Sequence, residues 1–171
     1  MEIFNAIFRY FWFILLGVVL VNVVVMRGRM ARLVELGRVT QDEADGFLRG
    51  FGLAFGIPCV AMGLIALWAQ WPSPMCAGIL SFRDAPSAAS AIVILGAWAL
   101  LLRWVWVGSG ADLLGRVAPA LMNVPNFERT YSPNLVRWAI TVLILVAGIM
   151  GAVTYWTMPR EMVCVVPGAA A

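Results

Sequence analysis

Residues 55–69, FGIPCVAMGLIALWA, set Pro58 beside Cys59 in a run that carries no charge. Three kinds of chemistry fit such a pair: thiolate ligation of a metal, thiol redox, or contact with cargo at a broken membrane helix. The first two need partners. The chain has no histidine, and its other cysteines, Cys76 and Cys164, make no CxxC spacing with Cys59 or with each other. Histidine is the commonest transition-metal ligand and proton shuttle, so no metal site and no cofactor is expected of this chain alone. A transport role needs polar groups near mid-membrane to hold the cargo. Asn22, Thr141 and Cys59 are the candidates. In the plainer reading Cys59 is a small buried hydrophobe and Pro58 a kink.

Other reactive groups lack helpers. Ser73, Ser81 and Ser109 have no base to activate them. GSGADLLG, residues 108–115, lacks the preceding strand and the spacing of a dinucleotide fold. A lipid or quinone enzyme would need Arg103, Asp112 and Arg116 gathered round a head-group pocket. Cys76 and Cys164 fall on the same predicted side, where an oxidising compartment would favour a disulfide between them. Arg9 lies on that side too, where Glu161 can pair with it; simple snorkelling to the interface is the alternative.

These groups must be held by membrane elements. Hydrophobic residues make up 63% of the 171 and charged residues 12%, about half the charge a water-covered domain carries. The class is therefore integral membrane protein. A helical crossing takes about 20 mostly apolar residues, and four segments qualify: about 4–26, 50–71, 87–107 and 135–156. None has a charge near its middle, where an arginine costs at least about 2.5 to 3.5 kcal/mol. Arg103 and Arg137 lie within a turn or two of a helix end.

Charge between the spans sets the orientation. Arg27, Arg29, Arg32, Arg38 and Arg49 fill the first loop, Arg116 and Arg129 the third, and only Arg83 the second. Basic short loops stay in the cytoplasm, which puts both termini and the second loop outside. The arginines form no stripe, and nucleic-acid binding is not expected.

The first loop carries helix signals of its own. MARLVEL continues the first helix to Gly37, suited to a left-handed terminus. TQDE, residues 40–43, reads as a capping box with Thr40 as N-cap and Glu43 three residues on. A short cytoplasmic helical hairpin between helices 1 and 2 follows. APALMNVPNFERTYSP, residues 118–133, has three prolines and reads as an irregular segment. Within the second span, Gly52 and Gly56 form a GxxxG and Gly63 adds another small position, together a face for close helix packing around Pro58. Ala147, Gly148, Gly151 and Ala152 offer a matching face on the fourth span.

YFWFILLGVVLVN (10–22), GFLRGFGLAFGIPCVAMG (46–63) and LRWVWVGSGADLL (102–114) together resemble a group of small bacterial four-helix membrane proteins of no assigned activity. In that group an Asn-Ile-Pro-Trp-like stretch opens the middle of the second helix; here Gly56 and Cys59 stand at the asparagine and tryptophan positions. The resemblance implies four helices and a bacterial inner membrane.

The expectation is an all-α, single-domain (1–171) integral membrane four-helix bundle. Its expected role is a non-enzymatic scaffold or accessory subunit that contacts the lipid bilayer and associates with itself or another membrane protein. One alternative is a transporter or channel formed by oligomerisation around a helix-2 break at Pro58. The other is the lipid or quinone enzyme above.

Overall fold

A computed structural model describes residues 7, 10–71, 76, 84–121 and 130–157. Its principal helices are α1 (Phe11–Glu35), α2 (Gln41–Trp68), α3 (Ala85–Trp106), α4 (Gly110–Leu121) and α5 (Pro133–Thr157). All but α4 are long and apolar enough to cross a membrane. Length and composition thus mark a small four-span, multi-pass membrane protein whose apolar helices contact lipid.

The helix ends follow from local chemistry. At the end of α1, Gly37 adopts φ +66°. The Gly37 N–H donates to Val34 O at 2.9 Å and the Arg38 N–H to Leu33 O at 2.9 Å, the two bonds of a Schellman motif. The same motif closes α2, where Gln70 takes the left-handed position at φ 52° and the Trp71 N–H donates to Ala66 O at 3.1 Å. Trp71 and Ala66 are buried together, the apolar contact that accompanies this motif. Helix α2 opens on the expected capping box: Thr40 Oγ1 accepts from the Glu43 N–H at 3.2 Å, and Glu43 Oε2 from the Thr40 N–H at 2.9 Å. Asp84 caps α3 by accepting from the Ser87 N–H at 2.9 Å, and Ser132 Oγ accepts from the Leu135 N–H at the start of α5.

Three expectations change. No separate hairpin stands between the first two helices. Spans α1 and α2 themselves run past the apolar stretch, at about 37 and 42 Å against a hydrocarbon core of about 30 Å, and a short turn joins them. Secondly, α2 is continuous through Pro58, so there is no helix break. Proline removes one backbone bond, and the turns on either side keep theirs. Thirdly, residues 110–121 are helical, although part of this stretch reads as irregular; its apolar positions Ala111, Leu114 and Val117 recur at helical spacing.

The principal contacts pair α1 with α2, α2 with α3, and α3 with α5, while α4 touches α1, α3 and α5. The spans meet as neighbours in chain order, and α4 crosses one end of the row. That end holds the best-packed cluster: Met30, Leu33, Val39, Ala44, Phe47 and Val117. Most of these residues lie beyond the apolar stretches. Lipid gives apolar side chains little reason to leave it, whereas at the membrane's edge the hydrophobic effect rewards burial. A second cluster, Val105, Ala111 and Val136, joins α3, α4 and α5. Helix α4 thus ties both halves together.

Candidate functional site

The small positions of α2 face α1. A Cβ added at Gly52 would sit 3.6 Å from Val23, one at Gly56 3.6 Å from Leu16, and one at Gly63 2.9 Å from the Phe13 ring. The face is closed by large side chains of α1 and not by the small residues of the fourth span. There, Ala147 and Ala152 are exposed, and Gly148 faces Trp98 of α3. Pro58 and Cys59 are half-buried beside this contact, with Cys59 a free thiol.

The two polar candidates of the spans, Asn22 and Thr141, are satisfied separately. Asn22 is exposed and donates to Val18 O of its own helix at 2.9 Å. Thr141 accepts from the Trp106 indole N–H at 3.1 Å and donates to Arg137 O at 2.8 Å. Arg137 donates to Asn134 Oδ1 at 3.2 Å and lies 6.0 Å from the Trp106 ring centre. Trp106 in turn meets Trp138 edge to face at 5.6 Å. This is an interfacial aromatic cluster joining the end of α3 to the start of α5, and Asn22 on α1 has no part in it.

Sequence reading assigned Glu43 to a cap alone; the structure gives it a second task. Arg116 of α4 donates to Glu43 Oε1 at 2.7 Å, to Oε2 at 3.2 Å and to Arg38 O at 3.1 Å. This two-pronged pairing fits the planar guanidinium. It also separates Arg116 from Arg103, which lines a different surface with Leu100, Trp104, Val107 and Gly108. Neither Asp112 nor Arg116 lines the surface that Arg103 does.

Against models of known protein families, curated proteins and solved structures, the chain finds no match. The resemblance read from the sequence thus identifies no family, and four membrane spans are what stands.

The Arg116 bonds, then the Thr40 N–H bond, hold the Glu43 carboxyl down to about 2 from 4.5. Glu43 precedes the apolar stretch of α2 and lies outside the membrane. Because its folded value is the lower, its contribution is complete above about pH 4.5 and is lost as pH falls towards 2. The two side chains are 36% and 35% exposed, so solvent screens the pair. Glu43→Gln is expected to cost about 1 kcal/mol near neutral pH. Melting curves of wild type and variant should draw together as pH falls from 4.5 and converge only near pH 2; a gap that stays constant with pH would contradict the pairing.

Cys76 is buried against Met62, Ala66 and Trp71 and is disulfide-bonded. Cys164, its expected partner, lies outside the described residues, as do Arg9 and Glu161. Among the described residues no group of three His, Cys, Asp or Glu side chains is placed to hold a metal ion.

Proposed function

We propose that the protein is a non-enzymatic scaffold or accessory subunit of a membrane complex. The observation that carries this reading is the closed face of α2: Gly52, Gly56 and Gly63 are covered by Val23, Leu16 and Phe13 of α1. A transport pathway along Pro58 would need that face open to water and lined with cargo-binding groups. Instead the polar side chains nearby bond within their own helix or at the interfacial tryptophans. Helix α5 supplies surface for a partner, since Leu143, Leu145, Val146, Ile149, Met150 and Val153 are all exposed.

The proposal extends to placement in a bacterial inner membrane. Arg27, Arg29, Arg32, Arg38, Arg49, Arg103, Arg116 and Arg137 all belong to the end crossed by α4. The positive-inside rule turns that end to the cytoplasm and leaves both termini, and a Cys76–Cys164 bridge, outside.

Extraction in native nanodiscs, without detergent, tests the role. The chain is expected in a discrete assembly larger than one copy. Liposomes containing the purified chain should leak ions and small dyes no faster than empty ones. Faster, saturable efflux would replace the scaffold with the transporter.

A further inference from the structure

We infer that the end of α3 carries a binding site for a phosphate-bearing membrane lipid, with Arg103 as the anion contact. Leu100, Arg103, Trp104, Val107 and Gly108 line an open cavity of about 380 Å³. Its walls are apolar apart from one guanidinium. Arg103 is exposed and, among the described residues, has no ion pair or side-chain hydrogen bond. Arg116 and Arg137, by contrast, have protein acceptors. Five N–H donors in a planar fork suit phosphate oxygens.

The wall beside Arg103 is set in advance. A Cβ at Gly110 would fall 2.5 Å from the Trp104 ring, and one at Gly108 2.7 Å from Trp104 O. At Gly110 only bare backbone lets the indole sit where it does, while at Gly108 the obstacle to a side chain is the Trp104 carbonyl. Depth points to the same ligand, because Arg103 lies in the last turn of an apolar 22-residue helix, the level at which lipid phosphates meet protein. The carbonyls of that helix end disfavour an anion. A direct charge-assisted pair is the stronger of the two effects. Exposed Leu100 and Val107 then give the glycerol and the first acyl carbons an apolar surface.

Native mass spectrometry of the detergent-purified chain tests this with three probes: phosphatidylglycerol, diacylglycerol with the same acyl chains, and inorganic phosphate. Phosphatidylglycerol is expected to bind about tenfold more tightly than diacylglycerol, and Arg103→Gln to remove that advantage. Arg49→Gln, outside the cavity, should leave it intact. A photoactivatable phosphatidylglycerol should label residues 100–108 in the wild type. The site is refuted if Arg103→Gln retains the lipid as the wild type does, or if labelling falls elsewhere. Displacement of the lipid by inorganic phosphate at equal concentration would also overturn it, since the anion would then bind without its lipid.

Discussion

Replacing Gly115 by alanine is expected to destabilise the protein by about 3 kcal/mol, at the upper end for an overpacked site. Gly115 is buried in α4, where a Cβ would run into the carbonyl oxygen of Tyr131. The obstacle is backbone, and no rotamer change can clear it. The Tyr131 N–H also donates to Gly115 O at 3.0 Å, so the two strands of backbone dock directly, with Val136 3.9 Å from the added carbon. Making room pushes the start of α5 away, breaks that bond and opens the cluster of Val105, Ala111 and Val136. Gly96→Ala is the control, because a Cβ there meets nothing within 4 Å and alanine favours helix. Thermal unfolding in one detergent should show a large drop for Gly115→Ala and none for Gly96→Ala. Equal behaviour would mean that α4 and α5 do not dock through Gly115.

The second large effect is expected at Gly63. The edge of the Phe13 ring lies against it, with a Cβ 2.9 Å from Cζ and 3.0 Å from Cε2. Alanine should cost little, because a ring tip can tilt. Leucine cannot be fitted without parting α1 from α2, at about 2 to 3 kcal/mol. Lipid makes the loss hard to recover: helices in a bilayer hold together by packing, with little hydrophobic drive to restore contact. Phe13→Ala vacates the same space, so the double variant should be more stable than the sum of the single effects predicts. Additive costs would show that the two residues do not touch.

How far the sequence could be read follows from the range of each interaction. The spans are legible because a bilayer imposes a length and a hydropathy on every crossing. Gly37 and the Thr40–Glu43 box are legible because a cap is made within four residues. Helix α4 was also written locally, in the period of Ala111, Leu114 and Val117 with Asp112 and Arg116 between them. Pro119 within it, with Pro125 and Pro133 beyond, reads instead as the start of an irregular segment. The partner of the GxxxG face was a different kind of problem. Small residues announce a close approach without saying what approaches, and the large side chains of α1 fill the face as well as a second small stripe would. Arg116 and Glu43 stand 73 residues apart, and no local pattern links them. Thr141 read as a lone polar group within a span until the fold brought the Trp106 N–H to it.

The central claim is that water does not reach α2 at Pro58, and Cys59 reports on this directly. Intact cells would be treated with a membrane-impermeant maleimide, before and after reduction, using single Cys→Ser variants to assign each signal. Cys59 is expected to stay unlabelled until the membrane is dissolved and the chain denatured, while Cys76 reacts only after reduction. Ready labelling of Cys59 from outside the cell would place an aqueous path beside Pro58 and contradict the closed helix face on which the scaffold reading stands.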